Sequence, residues 1–197
     1  MVYVPIVDYG GDGLSKPSKE KPMEIVGHRH KYTGEIPKIE HKELVQRAFK
    51  YLQFNVGCSV VFKERIASGS ENPDAIGFKD GFSYLIECKA SRADFFADKK
   101  KLFRKIPQKG MGSQRYFMSP VGLFEPTEIP DGWGLLEVYE IPPMCRNRTV
   151  KKAKESKNFS VLERNLSAEV AYLVSAIRRL NISMAVFVSN VKGNSDG

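Results

Sequence analysis

Two carboxylates and a lysine near the middle of the chain have the types and spacing that suit metal-assisted chemistry. Asp74 follows Pro73, and Glu87 and Lys89 flank Cys88. Hydrolysis of a phosphodiester requires a cation that offsets the charge of the scissile phosphate, and Mg²⁺ prefers carboxylate and water oxygens. Asp74 and Glu87 therefore form a candidate Mg²⁺ or Mn²⁺ site, with the backbone carbonyl of Cys88 as a candidate third ligand.

Lys89 is the third reactive side chain of this candidate site. An ammonium beside a metal ligand can orient or help to deprotonate an attacking water, and it can stabilise developing negative charge. In an extended strand, Glu87 and Lys89 project from the same face, whereas Cys88 projects from the opposite face into the core. We therefore expect the loss of Lys89 to damage chemistry more than binding.

A β-hairpin is predicted to position these residues. Residues 74–78 and 82–89 are predicted to be its two arms, because each run is rich in β-branched, aromatic or other apolar residues. The intervening Lys79-Asp80-Gly81 supplies turn chemistry, since glycine tolerates positive φ in a tight reversal. Asp74 then begins one arm, and Glu87 lies near the end of the other.

The remaining elements are predicted from periodicity. Apolar residues at helical spacing predict helices over residues 39–52, 91–106 and 166–180, and strand-like runs predict strands over 56–62, 115–118 and 134–141. Ser91 with Asp94 resembles an N-terminal capping arrangement for the second helix. Residues 151–157 are basic and weakly apolar, which favours a linker or mobile loop. The strand, helix and strand order predicts a mixed α/β core.

Pro73-Asp74 and Glu87-Cys88-Lys89 resemble the signature of the PD-(D/E)xK nuclease superfamily. The resemblance implies a restriction-endonuclease-like α/β core, in which a central mixed β-sheet is flanked by α-helices. The core of that superfamily begins with a helix that carries a glutamate, which here would be Glu43, with Glu40 as the nearby competitor. The order of helix, strand, hairpin and helix over residues 39–106 also matches.

A longer run makes the resemblance more specific. Glu87-Cys88-Lys89-Ala90-Ser91-Arg92-Ala93-Asp94-Phe95, followed by Asp98 and Lys99, is similar to the bacterial MmcB-like DNA-repair group and related phage-encoded proteins. The similarity covers roughly the middle half of the chain. It implies a DNA-directed role in repair, recombination or phage DNA processing, with a metal-dependent deoxyribonuclease of the endonuclease type as the expected activity.

Basic residues after the tripeptide are candidate nucleic-acid contacts. On a continuous helix, Lys100 and Arg104 lie one turn apart, and together with Lys99 they could hold successive backbone phosphates. A solvated helix face is the simpler alternative for such a run. Arg115 and Tyr116 could reach the same groove from the next strand, whereas Tyr116 could equally be a packing residue.

The composition favours an anionic partner. Lys and Arg number 31 against 23 Asp and Glu, which gives a formal net charge of +8, as suits nucleic acid or an acidic membrane surface. No apolar run approaches the roughly 20 residues needed to cross a bilayer, and the N-terminus lacks a signal-peptide pattern. We expect DNA as the partner, no membrane association, and a cytoplasmic location, in the host cytoplasm if the chain is phage-encoded.

One principal domain is predicted. The Gly-, Pro- and Lys-rich residues 1–38 are predicted to be an arm or irregular cap, residues 39–190 the nuclease-like domain, and residues 191–197 a flexible tail. Trp133 is expected to be a packing anchor between a loop and a strand. Three widely spaced cysteines predict neither a disulfide framework nor a cysteine zinc site. A homodimer is left open, because two sites could then address two strands.

Two hypotheses from other classes compete with the nuclease hypothesis. A non-catalytic nucleic-acid-binding module could retain the nuclease fold, and salt-sensitive binding without metal-dependent products would favour it. A structural or interaction protein could instead use the acids and the lysine as surface ion pairs. Failure to bind both nucleic acid and divalent metal would favour that third hypothesis.

Overall fold

The computed structural model describes residues 34–63, 71–98, 100–139 and 150–179. All of them belong to one compact unit. Of the predicted N-terminal arm, only residues 34–38 fall in these ranges, and they form neither helix nor strand. The predicted tail, residues 191–197, lies outside the described residues.

Four α-helices and six β-strands occur in the described ranges. The helices are α1 (His41–Lys50), α2 (Arg92–Asp98), α3 (Leu102–Lys105) and α4 (Leu166–Arg179), and the strands are β1 (Val60–Lys63), β2 (Ala75–Lys79), β3 (Phe82–Cys88), β4 (Gln114–Pro120), β5 (Gly134–Val138) and β6 (Val150–Lys154). A π-helical turn, Tyr51–Val56, directly follows α1. Within the described ranges, no helix combines the length and the apolar character that a membrane span requires.

The six strands form one mixed sheet in sequence order. Strand β2 is antiparallel to both of its neighbours, β1 and β3; strands β3, β4 and β5 are parallel; and β6 is antiparallel to β5. Parallel neighbours require a crossover connection, and α2 and α3 lie in the connection between β3 and β4. The predicted α/β class with a central mixed sheet flanked by helices is therefore confirmed.

Successive side chains of β3 point to opposite faces of the sheet, and both faces are buried. Ile86 and Cys88 pack with Leu44 on the side that α1 covers, which we call the α1 face. Leu85 packs with Phe95 of α2 on the opposite side, which we call the α2 face. Full burial of a large apolar side chain contributes roughly 1.5–3 kcal/mol before entropy is counted, so both faces stabilise the sheet.

The turn between β2 and β3 confirms the predicted hairpin. Asp80 has φ 49° and Gly81 has φ 78°, which is the pair of positive values that a two-residue type I′ turn requires. This turn fixes the register, with Ala75 opposite Ile86. A one-residue slip would move every β3 side chain to the wrong face, so the turn also determines which residues reach the α2 face.

Gly134 has a packing role that its sequence context did not reveal. It is paired with Tyr116 across β4 and β5, and a Cβ at position 134 would lie only 2.3 Å from the Tyr116 ring. The absence of a side chain therefore lets the ring lie against the backbone of β5.

Three predicted elements differ in the structure. The π-helical turn occupies Tyr51–Val56 and ends at Gly57 in the left-handed region, so β1 begins at Val60 rather than at 56. The predicted helix over residues 91–106 is divided into α2 and α3. The basic residues expected to be a linker form β6, in which only Ala153 is buried.

Candidate active site

The hairpin brings Asp74 and Glu87 together at one end of the sheet. Because Ala75 pairs with Ile86, Asp74 lies opposite Glu87 just beyond the last β2 pair. The Cys88 amide donates a hydrogen bond of 2.7 Å to Oδ2 of Asp74. The other carboxylate oxygen, Oδ1, lies 3.4 Å from Nε2 of His41 at the start of α1. Asp74 is thus anchored from both β3 and α1.

Lys89 directly follows β3 and is buried in spite of its charge. Its backbone amide donates to the Met118 carbonyl at 2.8 Å, which fixes the residue beside β4. Its Nζ lies 3.7 Å from Oε2 of Glu87, 3.3 Å from Oδ1 of Asp98 and 3.7 Å from Oδ1 of Asp94. The prediction that Glu87 and Lys89 point the same way is confirmed.

Arg104 is a second buried cation at this site. Its Nε lies 2.5 Å from Oδ2 of Asp98, and it also pairs with Glu71. Its Nη2 lies 2.9 Å from Oε1 of Glu87, although the two groups are not aligned as a hydrogen bond. The guanidinium packs over the Trp133 ring, 4.5 Å from its centroid. Arg104 therefore contacts three carboxylates and also lies over three aromatic rings, those of Phe103, Phe117 and Trp133.

These residues form what we call the charge cluster: Glu71, Asp74, Glu87, Asp98, Lys89 and Arg104. Four carboxylates face two cations, which gives 2 − 4 = −2 when all are ionised. The more exposed Asp94 and Lys101, which pair with Lys89 and Asp98 respectively, cancel each other and leave this balance unchanged. Buried charges are costly unless they are balanced. The cluster is therefore expected to gain a proton or a cation.

The pKa values of two cluster residues respond to this imbalance in opposite directions. Burial raises the pKa of the Glu87 carboxyl to about 7; the charge of Arg104 opposes the rise, whereas the carboxylates of Asp74, Glu71 and Asp98 add to it. Burial also disfavours ionisation of Asp98, but the charge and hydrogen bond of Arg104 hold the pKa of that carboxyl below its ordinary value. Glu87 is thus the carboxyl of the cluster that most readily takes up a proton.

The donor set suits a hard divalent cation. Carboxylate oxygens and a backbone carbonyl are ligands that Mg²⁺ and Mn²⁺ accept, and the carboxylates of the charge cluster outnumber its cations. In the described part of the chain, no group of three or more histidine, cysteine or carboxylate side chains is already arranged around a common metal position. The fit therefore rests on the chemistry and charge of Asp74, Glu87 and the Cys88 carbonyl.

Glu43 is not brought into the charge cluster by any described contact. Its carboxylate pairs with Arg47 one turn later on α1, with Oε1 2.5 Å from Nη2, and its side chain is 51% exposed. The residue of α1 that reaches Asp74 is His41, two positions earlier. The Cys88 side chain is fully buried on the α1 face, as predicted.

Arg104 departs from its predicted position on an exposed helix face. Its side chain is 4% exposed, because the break between α2 and α3 turns it toward Glu71, Glu87 and Asp98. Lys100 is exposed in the turn that precedes α3 and shares no continuous helix with Arg104. The predicted pair of phosphate contacts one turn apart is therefore wrong. Lys99 lies outside the described residues.

Arg115 and Tyr116 are also buried, at 1% and 3% exposure. The Arg115 guanidinium donates to the carbonyls of Gly112, Pro107 and Gly110. Both side chains are therefore committed to packing, and the expectation that they reach a nucleic-acid groove is wrong. The alternative in which Tyr116 packs in the core is confirmed.

Trp133 is the packing anchor that the sequence predicted. Its ring stacks on Phe117 with centroids 4.5 Å apart, and it is 4% exposed. It also lies beneath the Arg104 guanidinium, so it forms an aromatic floor for one of the two buried cations.

Sequence reasoning missed three members of the site: Glu71, Asp98 and His41. Asp98 belongs to the segment that resembles the MmcB-like group, but its local sequence indicates no particular role. Glu71 accepts the Met111 amide at 2.8 Å as well as Arg104, and neither contact is local in sequence. A carboxylate just before Asp74 and a histidine at a helix start were the available signals, and both are common on surfaces.

Comparison with known proteins supplies a fold similarity. No protein-family model matches the chain, and no curated protein matches it. A solved structure, protein SPO1766 of unknown function from Silicibacter pomeroyi, is similar with a TM-score of 0.50 and 21% sequence identity. The match covers 73% of this chain and 91% of that chain. At this identity the similarity concerns the fold alone.

Proposed function

We propose that the chain is a metal-dependent deoxyribonuclease of the endonuclease type, built on a restriction-endonuclease-like core. The observation that carries the proposal is the convergence of Asp74, Glu87 and Lys89 where the hairpin ends. Two adjacent carboxylates beside a buried ammonium, with excess negative charge around them, are what metal-assisted phosphodiester hydrolysis requires. The proposed setting is DNA repair, recombination or phage DNA processing.

The roles of the residues follow from their positions. Asp74 and Glu87, with the Cys88 carbonyl, would hold Mg²⁺ or Mn²⁺, which when bound neutralises charge at the scissile phosphate and acidifies a coordinated water. Lys89 orients the attacking water and stabilises negative charge in the transition state. Asp98 and Asp94 hold the Lys89 ammonium from the side of α2.

DNA is proposed as the substrate because of charge and of exposed lysines near the site. The whole chain carries a formal charge of +8 although the charge cluster itself is acidic. Lys100, Lys105 and Lys109 are exposed along the segment that follows α2. They are candidates for sequence-independent phosphate contacts, which position a duplex without reading its bases.

A second candidate function is a non-catalytic nucleic-acid-binding module with the same fold. The observation that favours it is the contact of Arg104 with Glu87, at 2.9 Å. An internal guanidinium can partly replace the positive charge that a metal would supply. Binding without cleavage would then be the activity of the protein.

Cleavage of circular plasmid, linear duplex, single-stranded and branched DNA tests the proposal, with Mg²⁺, Mn²⁺ or a chelator present. We expect metal-dependent products from the wild type, including nicked or linear plasmid if the activity is endonucleolytic. Lys89→Ala should abolish them, whereas the matched Lys50→Ala, at an exposed lysine of α1 outside the proposed phosphate contacts, should not. Thermal unfolding of each variant verifies that the fold is retained.

The outcomes separate the two candidates. Products that disappear in the chelator and in Lys89→Ala support the nuclease. Equal cleavage by the wild type and Lys89→Ala would overturn the assignment of Lys89. Salt-sensitive binding with no products from any substrate or metal would favour the non-catalytic module.

A further inference from the structure

A cavity lies on the α1 face of the sheet, on the opposite side from the charge cluster. Its volume is about 270 Å³. One wall is the π-helical turn Tyr51–Val56, and the other consists of β3 and β4 at the ends where those strands begin. Glu87 lies near the other end of β3 and projects from the other face. The cavity is therefore separate from the proposed catalytic residues.

Three tyrosines dominate the lining of this cavity: Tyr51, Tyr84 and Tyr116. Tyr116 is fixed, because its hydroxyl donates to Oε1 of Gln114 at 3.0 Å and its ring lies against Gly134. The hydroxyls of Tyr51 and Tyr84 have no hydrogen-bond partner among the described residues. The cavity thus offers aromatic surfaces together with unused polar groups.

The polar lining can recognise the edge of a flat ring. Gln114 and Asn55 contribute side-chain amides, each with donor and acceptor capacity. Tyrosine hydroxyls add further donors and acceptors. A ligand that stacks on tyrosine and presents both donors and acceptors at its edge would use all of these groups.

Lys152 gives the cavity a cation. It lines the cavity from β6 and its side chain is 38% exposed. Its present partner is the exposed Glu155, at 3.1 Å, and exposed pairs of this kind contribute little to stability. Lys152 is therefore available to exchange Glu155 for an anionic group at the edge of the cavity.

The π-helical turn in the wall of the cavity also indicates a functional site. π-helical turns are rare, and they occur frequently at functional sites. Here four of the six residues of the turn line the cavity on the side that faces the sheet: Tyr51, Leu52, Asn55 and Val56. The volume lies near the lower limit of ligand sites in proteins, which suits one ring and its substituent rather than an extended molecule.

We propose that this cavity binds a single nucleobase whose attached phosphate is held by Lys152. The base stacks on the half-buried rings of Tyr51 and Tyr84. Its edge is bound by Asn55, Gln114 and the tyrosine hydroxyls, and its phosphate lies at β6. The base can come from a free nucleotide or from a single-stranded nucleic acid. Because the cavity is on the other face of the sheet, this binding is independent of cleavage at Glu87.

Calorimetric titration with deoxyadenosine and deoxythymidine monophosphates tests the proposal, with a chelator present to prevent cleavage. Asn55→Trp should fill the cavity from its exposed rim and weaken binding by about tenfold or more, in the range known for loss of one stacked base. Gln53→Trp is the matched control, because Gln53 is exposed on the same turn but does not line the cavity. It should leave the affinity unchanged.

A second variant addresses the ring directly. Tyr84→Ala should weaken binding by a similar factor, whereas Tyr84→Phe, which keeps the ring, should recover most of the affinity. Deoxyribose 5-phosphate, which lacks the base, should bind far more weakly than either nucleotide. Equal binding of deoxyribose 5-phosphate, or an unchanged affinity in Asn55→Trp, would overturn the proposal, as would the absence of nucleotide binding by the wild type.

An oligonucleotide comparison identifies the source of the base. Tighter binding of a thymidine oligonucleotide than of the monophosphate, lost when abasic sites replace the bases, assigns the cavity to a single strand. Tighter binding of the monophosphate assigns it to a free nucleotide. Lys89→Ala should bind the nucleotide as the wild type does, so failure of the nuclease proposal and failure of this one can be distinguished.

Discussion

Strand β3 contributes to two polar regions of very different character. On the α2 face near its end, Glu87 joins a cluster in which four carboxylates face two buried cations. On the α1 face near its beginning, Tyr84 joins a cavity lined mainly by neutral tyrosines and amides. The first region has an unbalanced charge, and the second has unused hydrogen-bonding groups.

This difference determines what each region can respond to. An unbalanced buried charge is relieved by a proton or a cation, and the energy involved is large because the surroundings have a low dielectric constant. Unused hydroxyls and amides at a half-open cavity remain hydrated until a ligand with a matching edge displaces the water. This contrast supports the proposals that the charge cluster is a site for metal and phosphate chemistry and that the tyrosine-lined cavity is a site for recognition.

The largest effect is expected for chemistry at the charge cluster. Lys89→Ala should lower the cleavage rate by about 10²–10⁴-fold, the usual contribution of a positioned acid–base group, while nucleotide binding at the cavity is kept. Single-turnover cleavage measured beside nucleotide titration checks both. A parallel loss of cleavage and nucleotide binding would mean that the two regions are not independent.

A large effect on stability is expected from the buried guanidinium. Arg104→Met leaves Glu71, Glu87 and Asp98 without their shared partner, and breaking a buried ion pair costs about 3–5 kcal/mol. Arg47→Met, which removes the more exposed pair with Glu43, should cost about 1 kcal/mol or less. Urea unfolding of both variants measures the contrast. Similar values for the two would show that the charge cluster is well solvated.

A smaller effect is expected at the cavity. Gly134→Ala places a methyl group against the Tyr116 ring, and overpacking of this kind costs typically about 1–3 kcal/mol. The displaced ring should also weaken nucleotide binding. Cleavage should be unchanged, because Gly134 does not contact the charge cluster. Chemical unfolding and nucleotide titration of the variant check both parts, and an unaltered affinity would argue against Tyr116 as a wall of the site.

The last and most gradual effect concerns pH. Glu87 has a folded-state pKa of about 7 against an ordinary value of 4.5, so between these values the folded state keeps a proton that the unfolded state has lost. Stability should therefore fall as pH rises through this window, by at most about 1.4 kcal/mol per pH unit and by about 3 kcal/mol over the whole window. Thermal unfolding between about pH 5 and about pH 8 measures the trend.

Two controls sharpen the pH measurement. Glu87→Gln should remove the decline, because glutamine does not titrate. Mg²⁺ should reduce it in the wild type, because a cation favours the ionised carboxyl. A decline of equal size in Glu87→Gln would assign it to another group. Asp98 acts in a different window, since its lowered pKa makes stability fall only when the medium becomes strongly acidic.

The hairpin and its reactive residues were predictable because their determinants are local. The alternation of side chains along β3 and the turn at Asp80 and Gly81 are determined by consecutive residues. Together they place Glu87 and Lys89 on the same face. The charge cluster was only partly predictable. Glu71 and Arg104 are 33 residues apart, and nothing in either local sequence indicates that they meet.

The secondary structure of two segments was predicted wrongly for the same physical reason. A lysine-rich run such as β6 lacks the apolar alternation of a half-buried strand, yet it is suited to a sheet edge, where lysines discourage further pairing. The residues before Arg104 have helical spacing, but the helix is interrupted between α2 and α3. The ion pairs of the Arg104 guanidinium with three carboxylates stabilise this break more than one further helical turn would stabilise a continuous helix. In both cases a tertiary contact overrides a weak local preference.

The buried thiol of Cys88 is a natural probe of how often the candidate active site opens. Cys88 lies between the candidate metal ligand Glu87 and Lys89 and is 0% exposed, so an alkylating reagent reaches its sulfur only when the end of β3 opens. In a variant with Cys58 and Cys145 replaced by serine, the labelling rate at Cys88 would count those openings directly. A divalent metal that binds both Asp74 and Glu87 should lower the labelling rate of Cys88.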